Sequence, residues 1–122
     1  MTINSKQKGN RYERELAKTF RAYGFTEARR GVQYSGKQGE ADDVVGLPHI
    51  HIEAKHVERL NLYEAIKQAE RDANPDEFPC VFHRRNRTKT YVTMSLDDWM
   101  TLYSTWLYIK EKADKIVVGG SK

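Results

Sequence analysis

The sequence predicts one α/β domain whose elements follow the order α, β, β, β, α, β, β, α. Its 122 residues suffice for one hydrophobic core and are too few for two. A content of 39% hydrophobic and 31% charged residues is typical of a folded globular domain. Apolar residues at helical spacing alternate along the chain with short β-branched segments. We expect the domain to span residues 1–122, with a basic arm over 1–9 and a loose tail over about 115–122.

The first helix is predicted over Asn10–Tyr23, and Gly24 is placed to end it. Glu13 lies on the apolar face of this helix, where an unpaired carboxylate is costly. It therefore either forms a buried salt bridge or belongs to a carboxylate-lined site. The residues that share this face are Glu13, Leu16, Ala17 and Phe20.

The next three elements are predicted to be strands. Phe25–Tyr34 is the first, and a glycine-rich loop over residues 35–40 follows it. Asp43–Leu47 and Ile50–Lys55 flank a turn at Pro48, which indicates a β-hairpin.

The second half of the chain contains two helices and two strands. A helix over residues 62–73 ends before Pro75, and strands over Pro79–Arg84 and Thr90–Met94 flank a basic turn. A last helix begins at Ser95 with a sequence typical of a helix cap. We expect its aromatic face, which runs from Trp99 to Trp106, to belong mainly to the core and partly to a dimer interface.

Positive charge is concentrated in two segments. Residues 1–37 contain nine lysines and arginines against three glutamates, and residues 83–89 contain no acid. The net charge is +4 and the pI about 9.2. This distribution indicates a polyanionic partner, most simply nucleic acid, although basic residues also serve solubility alone.

The predicted hairpin brings acidic and basic side chains together. Residues two apart in a strand share a face, so Glu53 and Lys55 project together, and Asp43 begins the partner strand. Converging carboxylates repel each other unless a hard cation such as Mg²⁺ lies between them. A lysine beside them can hold an attacking water and neutralise developing charge. An isolated Glu-x-Lys is otherwise an ordinary surface pair.

These motifs resemble the core of the PD-(D/E)XK nuclease superfamily. The resemblance covers roughly residues 8–94. The segments that carry it are Gly9–Ala17, Gly24-Phe25, Arg30 with Ser35-Gly36, and Gly39-Glu-Ala-Asp-Asp43 followed by Glu53-Ala-Lys55. Within the superfamily, the chain is similar to Holliday junction resolvases of archaeal type and their bacteriophage-encoded relatives. The pattern departs from the family where Asp42-Asp43 replaces Pro-Asp. Asp43 precedes the strand directly and is preferred as the ligand, with Asp42 as the alternative.

The resemblance implies a restriction-endonuclease-like mixed sheet flanked by helices, and a homodimer that nicks four-way DNA junctions during recombination. It implies that Glu13, Asp43 and Glu53 bind Mg²⁺, with Mn²⁺ as a substitute, and that Lys55 assists the attacking water. Gln68 would support this site. The implied and expected DNA contacts are Arg14, Arg29, Arg30, Ser35, Lys37, Arg84 and Arg85.

Other site types are weaker predictions. His49 and His51 alternate with Glu53, but a zinc site lacks a second ligand pair of suitable spacing. Cys80 is the single cysteine, so no internal disulfide is expected. The polar, basic N-terminus lacks an apolar signal segment, and no membrane span is expected. These features predict a cytoplasmic protein, in the host cytoplasm if a phage encodes it.

Overall fold

The computed structural model describes residues 5–31 and 43–120. Within these ranges, three helices and five strands follow the predicted order. They are α1 (Ser5–Ala22), β1 (Arg29–Arg30), β2 (Val44–Val45), β3 (Ile50–His56), α2 (Leu62–Asp72), β4 (Phe78–Arg84), β5 (Tyr91–Thr93) and α3 (Leu96–Gly120). The predicted α/β class and element order are confirmed.

The strands form one mixed sheet in the order β1-β2-β3-β4-β5. The β1–β2, β2–β3 and β4–β5 pairs are antiparallel, whereas β3 and β4 are parallel and are connected through α2. A parallel connection requires a crossover, which α2 provides. Consequently β3 lies at the centre of the sheet.

Helices α1 and α2 cover opposite faces of the sheet. Ile52 and Ala54 of β3 pack in one buried cluster with Leu16 and Phe20 of α1. Val81 of β4 packs in a second cluster with α2. Because Glu53 is paired in register with Val81, it shares the face that α2 covers. His51 and Lys55 alternate onto the same face.

Two glycines shape the connections around β1 and β2. Gly24 has φ +103° and ends α1, as predicted, and the Phe25 amide donates to the Phe20 carbonyl at 3.1 Å. Gly46 has φ +107°, and a Cβ there would lie 2.5 Å from the Ala28 Cα. Only glycine fits at this position, so the turn after β2 packs tightly against the segment before β1.

Several element bounds differ from the prediction. The first strand is confined to Arg29–Arg30, because the chain from Phe25 to Ala28 turns instead of extending. Helix α1 begins at Ser5, inside the predicted arm, and α3 continues to Gly120 through most of the predicted tail. Residues 32–34 of the predicted strand lie outside the described part of the chain.

The last helix differs most from expectation. Ser95 caps it as predicted, since its hydroxyl accepts a hydrogen bond from the Asp98 amide at 3.2 Å. Its aromatic face, however, is not part of the core: Trp99 is 48% and Trp106 56% exposed. Helices α1 and α2 already cover the two faces of the sheet, and α3 contributes no described residue to either buried cluster. No helix in the described ranges is long and apolar enough to cross a membrane.

Candidate active site

The β2–β3 hairpin places Asp43 beside Glu53. The Asp43 amide donates to the Ile52 carbonyl at 3.0 Å. Its carboxylate accepts a hydrogen bond from the Ala54 amide at 2.7 Å, so the side chain lies against the β3 backbone next to Glu53. Both residues are buried, with Asp43 8% and Glu53 1% exposed. Two carboxylates therefore meet in a region with little water.

The electrostatics of Asp43 reflect this crowding. The pKa of its carboxyl is raised from 3.8 to about 7, first by burial and then by the negative charges of Glu53 and Glu13. The Ala54 hydrogen bond and the charge of Lys55 act in the opposite direction. The ionised form of Asp43 thus needs more positive charge than the described protein supplies.

The two carboxylate oxygens of Glu53 differ in their surroundings. Its Oε1 lies 3.0 Å from His51 Nε2, a hydrogen bond that the ring donates when that nitrogen carries the proton. Its Oε2 is buried and has no hydrogen-bond partner in the described residues. A buried carboxylate oxygen without a partner is costly, and a divalent cation would stabilise it. The donor set and this orphaned atom fit a metal ion.

Lys55 completes the motif on the same face of β3. Its ammonium group donates to the Gln68 Oε1 on α2 at 3.5 Å. Helix α2 therefore brings Gln68 next to the motif lysine, the position at which the family resemblance implies a supporting residue. Lys55 and Gln68 also line an open groove with Arg71 of α2.

Glu13 reaches the site from the opposite face of the sheet. Its carboxylate accepts a hydrogen bond from Arg30 Nε at 2.9 Å, and Arg30 also donates to Asn10 Oδ1 at 2.9 Å. A salt bridge, one of the two alternatives open from the sequence, is thus present, but it is only partly buried, with the Arg30 side chain 36% and the Glu13 side chain 15% exposed. Glu13 acts on Asp43 through its charge, and the two do not form a close ligand trio with Glu53 among the described residues.

A different trio lies close together. Ligand atoms of His51, Glu53 and Asp72 are all within 4.8 Å of one another. His51 is fully buried and lies beside Glu53. Asp72, at the end of α2, was not proposed as a site residue. Its position four residues after Gln68, one helical turn on the same face, was the available signal.

His49 is not part of this trio. It precedes β3 in a left-handed conformation with φ 67°, and it is exposed beside Asp76, with Nδ1 3.6 Å from Oδ2. The strand alternation assumed for His49 therefore ends at Ile50, and the two histidines do not form a pair of ligands.

The basic residues predicted to contact DNA lie in different surroundings. Arg14, Arg29 and Arg85 are exposed, whereas Arg30 binds Glu13. The guanidinium of Arg84 lies 3.6 Å from the Glu15 carboxylate, which ties the turn after β4 to α1. Three predicted residues lie outside the described ranges, namely Ser35, Lys37 and Asp42.

Comparison with known proteins adds a family match. The model of a family described as "Phage putative PDDEXK endonuclease" matches residues 4–117. Neither the curated proteins nor the solved structures contain a significant match. Nucleases of the PD-(D/E)XK superfamily generally use divalent metal ions, in agreement with the orphaned carboxylate oxygen of Glu53.

Proposed function

We propose, from the premise that this chain belongs to the phage PDDEXK endonuclease family, that it is a divalent-metal-dependent Holliday junction resolvase. It would act as a homodimer on four-way junctions during DNA recombination, in the cytoplasm of the host. The observation that carries the catalytic part is the convergence of buried Asp43 and Glu53, with one Glu53 oxygen lacking a hydrogen-bond partner among the residues that the structure describes. The junction preference rests on the sequence resemblance and on the exposed face of α3.

The roles of the site residues follow from their surroundings. Asp43 and Glu53 would hold the cation, and Glu13 would contribute negative charge and orient Arg30. A bound Mg²⁺ would supply a water of lowered pKa and offset charge on the leaving oxygen. Lys55, held by Gln68, would position the attacking water against the phosphorus. Mn²⁺ would replace Mg²⁺, since both accept oxygen ligands.

The DNA surface is proposed to include the turn after β4. A groove there is lined by Arg84, Arg85 and Tyr91, and the Lys89 ammonium lies 5.3 Å from the centre of the Tyr91 ring. Tyr91 is 55% exposed, so the turn presents both cations for phosphates and an aromatic face for a base. Arg14 and Arg29 would extend this contact on α1 and β1, and Ser35 and Lys37 remain predictions.

The homodimer is proposed to form through α3. Among the side chains of this helix that the structure describes, eight large apolar ones are exposed, which exceeds the scattered apolar residues of an ordinary surface. Trp99 stacks on Tyr103 at 5.2 Å between ring centroids, and Tyr103 lies 6.0 Å from Trp106. With Leu96, these rings repeat at intervals of three and four residues, the spacing of a helix-pairing stripe.

The charges of α3 favour a second copy of the same helix in antiparallel orientation. The first turn carries Asp97 and Asp98, and the later part is weakly basic, with Lys110, Lys112 and Lys115 against Glu111 and Asp114. A two-fold axis at Tyr103 would place the acidic turn of each copy beside the lysines of the other. Such an interface would be isologous, and it would present two active sites to the two equivalent strands of a junction.

One experiment tests the proposal. Purified full-length protein is given four-way junction, flap, nicked and linear DNA of equal length, each with Mg²⁺, Mn²⁺ or EDTA. We expect paired, symmetric nicks in the junction with either metal and none in EDTA. Equal cutting of linear duplex would replace the resolvase with another nuclease of the superfamily, such as a nicking, repair or restriction-like enzyme. DNA binding without cleavage under every metal would contradict the nuclease and leave a binding protein of the same fold.

A further inference from the structure

The ligand trio of His51, Glu53 and Asp72 is a distinct feature of the α2-covered face. The donor atoms lie within 4.8 Å of one another, although α2 and β3 supply them from separate parts of the chain. Around one cation with bonds of roughly 2.0–2.2 Å, ligand atoms lie at most about 4.4 Å apart. Small side-chain rotations would therefore bring all three onto one ion.

The surroundings of the trio favour a cation. His51 and Glu53 are 0% and 1% exposed, so neither is well hydrated. A protonated His51 between the Glu53 and Asp72 carboxylates would donate a hydrogen bond to only one oxygen of Glu53, because its Nε2 faces Oε1. That arrangement leaves Oε2 buried with no hydrogen-bond partner within residues 5–31 and 43–120. An ion with several coordination positions would engage this oxygen as well.

The donor chemistry indicates the kind of ion. Mg²⁺ prefers carboxylate, carbonyl and water oxygens, whereas an imidazole nitrogen is a better ligand for transition metals. Mn²⁺ accepts both kinds of ligand. One histidine with two carboxylates therefore favours Mn²⁺ over Mg²⁺.

We propose that His51, Glu53 and Asp72 form a second cation position that selects Mn²⁺ over Mg²⁺, next to the Asp43–Glu53 position. This inference rests on the proposed function, because Glu53 is shared by both positions. Asp72 is only half-buried and would be the side from which water and the ion enter. Gln68 lies one helical turn before Asp72 on α2, and it accepts a hydrogen bond from Lys55 of β3. The second ion would thus lie away from Glu13, on the α2 side of the sheet.

The test measures metal binding directly on metal-free, full-length protein. Titration calorimetry gives the affinities for Mn²⁺ and Mg²⁺, and pulsed electron paramagnetic resonance of bound Mn²⁺ detects coupling to a histidine ¹⁴N nucleus. We expect Mn²⁺ to bind about tenfold or more tightly than Mg²⁺, with ¹⁴N coupling. His51→Gln should remove the coupling and weaken Mn²⁺ about tenfold, with little effect on Mg²⁺. Asp72→Asn should weaken Mn²⁺ similarly and keep the coupling.

His49→Gln and Asp76→Asn are matched controls, because this pair is exposed and lies outside the trio. Both should bind Mn²⁺ as the wild type does and keep the ¹⁴N coupling. Absence of coupling in the wild type overturns the inference, as does unchanged Mn²⁺ affinity in Asp72→Asn. These two measurements decide the matter even if His51→Gln does not fold.

The outcomes separate this inference from the proposed function. Metal-dependent DNA cleavage without ¹⁴N coupling would keep the nuclease and remove the second position. Coupling and Mn²⁺ selectivity in a protein that cuts no DNA would keep the metal position and remove the nuclease.

Discussion

The strand that carries Glu53 and the helix that carries Trp99 depart from the usual distribution of side chains in opposite directions. Strand β3 buries His51 and Glu53 beside the buried Asp43 of the preceding strand. Helix α3 exposes two tryptophans and a tyrosine stacked along one stripe. In a typical globular domain, charged groups are rarely buried without a partner and large apolar surfaces are rarely continuous.

The two regions share one physical feature, which is that contacts among the described residues leave part of each unsatisfied: Glu53 Oε2 has no hydrogen-bond partner there, and the aromatic stripe of α3 is exposed. A buried carboxylate costs several kcal/mol unless a positive charge or hydrogen bonds compensate it. Each exposed large apolar side chain forgoes roughly 1.5–3 kcal/mol that full burial would contribute. The difference between them lies in the missing partner: a small cation suits the first, and only a large apolar surface suits the second. The following predictions test that distinction.

The largest expected effect is on cleavage. Asp43→Asn and Glu53→Gln should each lower the cleavage rate about 10³-fold or more, about 4 kcal/mol of transition-state stabilisation, because a cation ligand is lost. DNA binding should persist or tighten, since a negative charge facing the phosphates disappears. Gel cleavage and binding assays measure both, with the exposed Asp76→Asn as control. Wild-type cutting by both variants would mean that the active site lies elsewhere.

The next effect concerns the apolar region. The double variant Trp99→Ser and Trp106→Ser should convert the dimer to a monomer at micromolar concentration, because aromatic side chains dominate interface energy. The sheet should keep its fold, since α3 lies outside both buried clusters. Sedimentation equilibrium and circular dichroism measure the two properties. Tyr63→Ser on α2, where Tyr63 is 82% exposed, is the control. A wild-type monomer would contradict the proposed interface.

The third effect is a pH dependence of stability in the metal-free protein. The pKa of Asp43 is raised from 3.8 to about 7, mainly by burial. The folded state therefore binds more protons than the unfolded state between these values, and its free energy of unfolding falls as pH rises from about 4 to 7. At about 1.4 kcal/mol per pKa unit, the loss approaches about 4 kcal/mol.

Urea unfolding in EDTA measures this dependence, with the Asp43→Asn variant as reference. The variant should lack the Asp43 contribution, so its stability relative to wild type should increase between about pH 4 and 7 and level off above. A constant difference across that range would show that Asp43 is ionised normally. Saturating Mn²⁺ should reduce the difference, because the cation stabilises the ionised carboxylate.

The smallest effect concerns the basic turn. Arg85→Ala should lower the slope of log affinity against log salt by about 0.9, because one fewer phosphate is neutralised. Its effect on binding should be similar for different DNA sequences. Arg84→Ala should also lower stability slightly, since Arg84 contacts Glu15, and it serves as the comparison. Identical salt slopes for Arg85→Ala and wild type would place the DNA elsewhere.

The sequence predicted the hairpin part of the site well. Glu53 and Lys55 share a face because side chains alternate along a strand, and Asp43 begins the neighbouring strand. The shared face of Glu53 and Lys55 and the position of Asp43 depend on the geometry of neighbouring residues in the chain, so sequence spacing alone predicts them. The order of helices and strands followed from the same local periodicities.

Other features were not predictable from spacing. The stripe on α3 indicated which residues share a face, but not whether another element covers that face. Because α1 and α2 already cover the sheet, the stripe remained exposed. The close approach of Gly46 to Ala28 is likewise a contact between separate segments, which local spacing does not reveal.

The sequence by itself determined the α/β class, the order of the elements and the adjacency of Glu53 and Lys55, since each depends on local backbone periodicity. Only the tertiary structure decided that Glu13 pairs with Arg30 and that Asp72 lies beside His51 and Glu53. These contacts join residues from different elements, and the packing of α1 and the crossover through α2 set their distances. Long-range packing also left the aromatic face of α3 exposed, because no described element of the chain lies where it could cover that face.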